Sequence, residues 1–179
     1  TSINTATGAT YAFTDLNVTT NKSYELQITQ GATSFSKKFN VIVNPGTVSL
    51  AMAGGLEDGI NYNSGDATRA TLVLDAPGKD FVYVAGSFNN YQPNSSYAMK
   101  KDPSTGKFWL ELTGLTSGVN YHYQYWVVDT TPIANSPSLV KTADPYSTLV
   151  LSPYDDPWIP AASYPSIPAY PAGQEREVT

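Results

Sequence analysis

FVYVAGSFNNYQPNSSYAMKKDPSTGKFWLELTGLTSGVNYHYQYWVVD, residues 81–129, is the stretch that decides the fold of this chain. It opens with an apolar strand that runs into a polar turn at residues 86–91. After an Asp-Pro-Ser-Thr-Gly turn, Phe108, Leu110 and Leu112 lie at every second position. Such a period of two is typical of a β-strand that buries one face. The stretch therefore predicts consecutive strands that pack around a shared apolar layer.

Strands are predicted on both sides of this core. Residues 70–77 (ATLVLDAP) are a mostly apolar run, residues 121–129 (YHYQYWVVD) alternate between two faces, and residues 141–153 (KTADPYSTLVLSP) predict a last strand. No segment shows convincing helical periodicity. We therefore predict an all-β fold, an immunoglobulin-like β-sandwich of the early-set type, over residues 47–152.

Residues 1–46 predict a smaller β domain. Tyr24, Leu26 and Ile28 share one face of a strand, and a turn at residues 30–33 leads to a second strand, FSKKFNVIV. A further strand is expected around Tyr11 and Phe13. Three strands with one apolar face do not easily close a sandwich of their own. We therefore expect either an incomplete immunoglobulin-like domain or strands that pack on a neighbouring domain.

Two further segments are predicted to be connections. Residues 46–66 are rich in Gly and Asn, which argues against a helix of any length. Residues 153–179 are crowded with Pro and aromatic side chains, and repeated Pro blocks both helical and ladder hydrogen bonds. We predict that this tail is an extended, semi-rigid linker, anchored to a surface by Trp158, Tyr164 and Tyr170, that leads to a further domain.

The composition excludes several classes of function. Only 14% of the residues are charged and the net charge is −5, so no basic stripe can neutralise phosphates and no nucleic-acid partner is expected. The chain has no Cys, and no apolar run approaches the roughly 20 residues needed to cross a bilayer. Thr, Ser, Asn and Tyr supply the polar surface, as is common in secreted β-proteins that contact sugars or other protein chains.

Several motifs follow one another along residues 67–151: FVYVAGSFNNY, then Met99, GKFW, Gly118 with Tyr121 and Tyr123, and the ADPY of residues 143–146. Together they resemble the isoamylase N-terminal domain of carbohydrate-binding module family 48. In that family the module commonly precedes the (β/α)8 barrel of an α-amylase-type glycoside hydrolase. The resemblance implies a non-catalytic accessory module with α-glucan and a catalytic barrel of the same polypeptide as partners. It also implies a bacterial protein that is secreted, periplasmic or on the cell surface.

No catalytic site can be put together from this sequence. Hydrolysis of a glycosidic bond needs two flanking carboxylates, and barrels of the resembled type add a His and an Arg. This chain has a single His, His122, and two Arg, none beside a suitable carboxylate motif. One His and no Cys make a zinc site improbable, and no nucleophile-elbow or phosphate-binding motif is present. We expect no catalytic residue, metal or cofactor in this chain.

A sugar-binding surface is the functional prediction that remains. Sugars stack a face of C–H bonds on an aromatic ring and pair their hydroxyls with amides. In the resembled family the aromatic residue after Phe-Asn-x is a stacking platform, and here that residue is Tyr91, with Asn89, Asn90 and Gln92 for edge hydrogen bonds. His122 stands where family binders have a Lys, and the second Trp of those binders is missing. The plainer alternatives are that Tyr91 packs on a neighbouring domain and His122 is a half-buried strand residue.

The three Trp residues predict packing between domains. Trp109 and Trp126 lie on the polar-alternating faces of their strands, so they either cover the second side of the sandwich or contact the barrel. Trp158 is expected to anchor the linker. The alternative to an accessory module is a purely structural set of immunoglobulin-like domains in a bacterial cell-surface or adhesion protein.

Overall fold

The all-β prediction is confirmed in both parts of the chain. The computed structural model describes residues 5–8 and 10–179, and the chain divides into two compact units, Thr1–Val43 and Asn44–Thr179. The described residues form nine strands and three short 3-10 helices. The division lies close to the boundary predicted at residues 46–47, and residues 153–179 belong to the second unit.

The first unit is a β-hairpin. Strands β1 (Lys22–Gln30) and β2 (Thr33–Val41) pair antiparallel across a two-residue turn, where Gly31 has a φ of +59°. Such turns require the left-handed backbone that Gly adopts without strain. The strand predicted around Tyr11 and Phe13 is wrong, because residues 10–19 contain no strand. Within this segment Asn17 has a φ of +57°, a left-handed conformation that a β-strand does not contain.

One face of the hairpin is apolar and largely exposed. Tyr24 and Phe39 stack there with ring centroids 5.4 Å apart, while Leu26, Ile28 and Phe35 share the face and remain about half exposed. Two strands alone cannot bury such a face. The prediction that this unit is part of a larger immunoglobulin-like domain therefore stays a prediction.

The second unit is a β-sandwich. Its strands are β3 (Gly59–Tyr62), β4 (Ala70–Leu74), β5 (Phe81–Gly86), β6 (Lys100–Lys101), β7 (Phe108–Leu112), β8 (Tyr123–Val128) and β9 (Leu139–Thr142). They form two antiparallel sheets of order β3-β4-β7-β6 and β5-β8-β9. Leu72 and Phe108 of the first sheet meet Val84 and Tyr125 of the second in one buried cluster. Burial of each such side chain stabilises the fold by about 1.5–3 kcal/mol.

The apolar runs of the sequence locate most of these strands correctly. Strand β7 alternates buried and half-buried residues as predicted, while all six residues of β5 are buried because both faces of that strand are covered. Strand β3 falls inside the segment predicted to be a connector, so that prediction is wrong for residues 59–62. The predicted last strand is also misplaced, since β9 ends at Thr142.

The turn predicted at the Asp-Pro-Ser-Thr-Gly sequence forms around a buried carboxylate. The Oδ1 atom of Asp102 accepts hydrogen bonds from the backbone N–H groups of Ser104 and Thr105, both at 2.8 Å. Its Oδ2 accepts the N–H of Met52 at 2.6 Å. Led by the bond from Met52, these donors hold the pKa of Asp102 well below its usual range. One side chain thus joins the turn to the segment that precedes β3.

The tail returns to the sandwich at its end. Val178 is fully buried and forms a β-bridge with Leu151, and Thr179 exchanges backbone hydrogen bonds of 2.8 and 3.0 Å with Tyr123. The intervening residues contain turns and a 3-10 helix at Asp156–Trp158. Backbone pairing therefore fixes the last residues of the described tail to β8.

Candidate functional site

The turn that carries Tyr91 is built by Asn89. The N–H of Gly86 donates to Asn89 Oδ1 at 2.9 Å, and Asn89 Nδ2 donates to the carbonyl of Val84 at 3.0 Å. Asn90 and Tyr91 follow with φ values of +52° and +53°, which are uncommon for residues other than Gly. The amide of Asn89, predicted to contact sugar, is therefore used to hold the turn.

Tyr91 is buried beneath this turn. Its side chain is 6% exposed, and its hydroxyl is the one buried side-chain polar atom without a hydrogen-bond partner in the described part of the chain. Burial, with a smaller contribution from Tyr170 of the tail, raises the pKa of Tyr91 to about 12. Asn90 and Gln92 remain exposed beside it. The structure therefore brings the predicted residues to one turn but covers the ring that would stack on a sugar.

The predicted contact residue His122 lies directly before β8, next to the same turn. Its carbonyl accepts the N–H of Ser87 at 2.8 Å, and its own N–H donates to Ser87 Oγ at 3.1 Å. A Cβ added to Gly86 would lie 2.6 Å from the His122 carbonyl oxygen, so only Gly allows this close approach. The His122 side chain is half-buried and faces an open groove described below.

The three Trp residues lie in different surroundings. Trp126 is buried within the second unit, where its indole N–H donates to Gln124 Oε1 at 2.8 Å and Lys141 lies over the ring. Trp109 is half-buried, and its indole N–H donates to the carbonyl of Leu50 at 2.9 Å. Trp158 is 85% exposed. Packing between domains stays a prediction, and of the three rings Trp158 offers the most open surface for it.

An open groove of about 760 Å³ runs along one side of the second unit. We call it the tyrosine groove and define it by Tyr62, Asn63, Asn120, His122 and Tyr146, all of which line it. Strand β3, the loop before β8 and the turn after β9 supply these residues. Tyr62 is 79% exposed and Tyr146 is 56% exposed. The groove therefore offers two rings to solvent, whereas the predicted site covers its ring.

Tyr146 is held in place from several sides. Its N–H donates to Asp144 Oδ1 at 2.9 Å, and a Cβ added to Gly59 would come within 2.8 Å of the Tyr146 Cβ. Asp58 raises the pKa of Tyr146 through its charge and through a hydrogen bond with the phenol. Lys107 in turn binds both carboxylate oxygens of Asp58, at 2.7 and 2.9 Å. The backbone of Tyr146 is thus held at this turn, and its phenol lies close to Asp58.

Asp144 connects the groove to the core. Its carboxylate is buried, and Oδ2 accepts hydrogen bonds from the hydroxyls of Tyr123 at 2.8 Å and Tyr125 at 2.9 Å. Burial raises the pKa of both phenols far above the usual range, followed by the Asp144 carboxylate for Tyr123 and by Tyr123 and then Asp144 for Tyr125. The backbone N–H of Asp144 donates to Thr179 Oγ1 at 2.8 Å. The ADPY motif is therefore a turn that supports the groove.

The charged side chains along the groove are paired. Asp58 binds Lys107, and Arg69 forms a two-point contact with Glu111, with nitrogen–oxygen distances of 3.1 and 2.5 Å. Asp144 also lines the groove, but its carboxylate is buried and accepts hydrogen bonds from two phenols. The other polar side chains of the lining are amides, hydroxyls and the imidazole of His122. Such a surface can stack a ligand on its rings and form hydrogen bonds at the edge. It offers no unpaired charge for an ionic ligand within the described lining.

Sequence reasoning missed Tyr62 and Tyr146. Tyr62 lies in the Gly- and Asn-rich segment, where only the alternation of Ile60 and Tyr62 signals a strand. Tyr146 belongs to the ADPY motif, and its exposure depends on the turn that Asp144 makes.

The described residues hold no cluster of three or more His, Cys, Asp or Glu suited to a metal, and no described helix is long and apolar enough to span a membrane. Neither the protein-family models nor the curated proteins give a match to this chain.

Proposed function

We propose that the second unit is a non-catalytic accessory module of a secreted α-amylase-type glycoside hydrolase, and that it contacts α-glucan and packs against the catalytic barrel. The observation that carries this proposal is the contact between motifs on which the resemblance rests. The carboxylate of the ADPY motif accepts hydrogen bonds from Tyr123 and Tyr125, and Met99 donates its N–H to the Val82 carbonyl at 2.8 Å. The motifs thus support one another in a single sandwich.

The barrel side of the proposal is supported by Trp158. This ring is 85% exposed, and Tyr154 and Ile159 beside it are also exposed. Exposed aromatic clusters of this kind suit packing against another domain.

A purely structural role is the second candidate, and the Tyr91 turn favours it. The ring is buried and the Asn89 amide is bonded to the backbone, so two residues expected to contact sugar serve the fold instead.

Calorimetric titration of the intact chain with maltoheptaose separates the two candidates, together with migration through an amylopectin gel. We expect measurable binding and no release of reducing sugar from starch. Sugar release would overturn the non-catalytic assignment. Absence of binding to both glucans would remove the glucan contact and leave the structural role.

A further inference from the structure

The tyrosine groove has the surface chemistry that a sugar chain requires. Tyr62 and Ile60 lie at alternate positions of β3 and both line the groove, while Tyr146 lines it from the turn after β9. Asn63, Asn120 and His122 lie along the same lining. Large rings exposed together in a concavity mark interaction sites more often than ordinary surface does.

The groove is rigid where it would contact a ligand. Tyr146 is fixed by Asp144, Asp58 and the close approach of Gly59. On the opposite side, the Tyr121 hydroxyl accepts the N–H of Thr116 at 3.0 Å and so ties down the loop that carries Asn120. Strand β3 is held by its ladder with β4. A site already in its bound arrangement loses little conformational entropy when it binds.

The size and charge of the groove narrow the ligand class. A volume of about 760 Å³ lies within the range of about 300–1,000 Å³ found for small-ligand sites. The Asp58–Lys107 and Arg69–Glu111 pairs neutralise the accessible charged groups of the lining, and the third carboxylate, Asp144, is buried beneath two phenols. An anionic or cationic ligand would therefore lose its hydration without gaining a counter-charge. A neutral ligand with apolar faces and hydroxyl edges fits all three features.

We propose that the tyrosine groove, rather than the Tyr91 turn, binds a neutral oligosaccharide, with Tyr62 and Tyr146 as stacking rings. Asn63, Asn120 and His122 then form hydrogen bonds with the sugar hydroxyls. That the oligosaccharide is an α-glucan rests on the proposed function. That a neutral glycan binds at this groove rests on the geometry of the groove alone.

Titration calorimetry on the intact chain tests the groove. The ligands are maltoheptaose, cellohexaose, xylohexaose and mannohexaose, with oligogalacturonate as the anionic comparison. The groove variants are Tyr62→Ala and Asn120→Ala, both at exposed positions, so the fold is expected to survive and thermal unfolding verifies it. Tyr154→Ala is the matched control, because that ring is also exposed but does not line the groove. Gln92→Ala, at an exposed position of the Tyr91 turn, tests the competing turn.

We expect one neutral ligand to bind and Tyr62→Ala to weaken its association at least about tenfold, or about 1.4 kcal/mol. Asn120→Ala should weaken it less, and Tyr154→Ala and Gln92→Ala should leave it unchanged. Unchanged binding in both groove variants would show that the tyrosine groove is not the binding site. The proposed contact between the second unit and α-glucan would remain. Binding of a neutral glycan other than maltoheptaose, lost in Tyr62→Ala, would support the groove and remove the α-glucan contact. Binding of none of the neutral ligands, or of oligogalacturonate alone, would overturn both.

Discussion

The Tyr91 turn and the tyrosine groove use the same kind of side chain in opposite ways. In the turn, a tyrosine in a suggestive sequence context is buried with its hydroxyl unpartnered. In the groove, Tyr62 and Tyr146, which were not predicted to contact a ligand, are exposed, and Tyr146 is held by its bond to Asp144. The difference teaches that the motif marks where the chain turns, while distant residues decide which ring meets solvent.

The largest effect should come from Asp144→Ala, which removes the support of the groove. Two buried phenols and one N–H lose their acceptor, and each buried group left unsatisfied costs about 1–3 kcal/mol. We expect the free energy of unfolding, measured in urea, to fall by about 3–5 kcal/mol. Glu57→Ala is the control, since this exposed acidic residue forms its hydrogen bonds, both to the Asn61 side chain, through its backbone alone. A loss below about 1 kcal/mol would mean that the groove does not depend on the core beneath it.

Gly59→Ala should have the next largest effect. The substitution places a Cβ 2.8 Å from Tyr146 and forces Ala to a φ of +91°. Gly55 has a similar φ of +82° with open space around it, so Gly55→Ala carries the backbone strain alone. We expect the free energy of unfolding, measured by thermal unfolding, to fall by about 1–3 kcal/mol for Gly59→Ala and by less for Gly55→Ala. Equal losses would show that the approach of Gly59 to Tyr146 is not needed.

Tyr91→Phe and Tyr125→Phe sharpen the comparison because they should change stability in opposite directions. Removing the unpartnered hydroxyl of Tyr91 relieves a buried polar group, so we expect the free energy of unfolding to rise by up to about 1 kcal/mol. Removing the Tyr125 hydroxyl breaks its bond to Asp144 and should lower it by about 1 kcal/mol. Urea titration of both variants measures the pair. A destabilised Tyr91→Phe would show that its hydroxyl has a partner in solution.

The smallest expected effect is a loss of stability at acid pH that depends on Asp102, which lies outside both the Tyr91 turn and the tyrosine groove. Because the folded-state pKa of Asp102 is lowered, its contribution to stability is complete above its ordinary value of 3.8 and is lost as the pH falls below it. Comparing unfolding at pH 6 and pH 3 should show a smaller acid loss in Asp102→Asn than in the parent. An equal acid loss in both proteins would assign the pH dependence to other carboxylates.

Much of the sandwich is predictable because its strands carry strong local patterns. The apolar runs of β4 and β5 and the alternation of Phe108, Leu110 and Leu112 predict strand positions without reference to the rest of the chain. Strand β3 is not predictable in the same way, because Gly and Asn dominate the sequence around it. Its extended conformation depends on pairing with β4.

The site is less predictable than the fold because exposure depends on contacts distant in sequence. Tyr170 contributes to the raised pKa of the Tyr91 phenol. Tyr146 is positioned by its bond to Asp144 and by the close approach of Gly59. The tail shows the same limit. Its Pro content predicts an extended segment, but the ladder that Val178 and Thr179 form depends on partners at Leu151 and Tyr123.

The two phenols that share the Asp144 carboxylate also supply a spectroscopic reporter. Their hydroxyl protons are enclosed and bonded to the same oxygen, so their exchange with solvent requires that region of the core to open. In proton magnetic resonance they should appear as slowly exchanging signals, separate from those of exposed phenols. The exchange lifetimes of these two protons would then report, without any added label, how often the core beneath the groove opens locally.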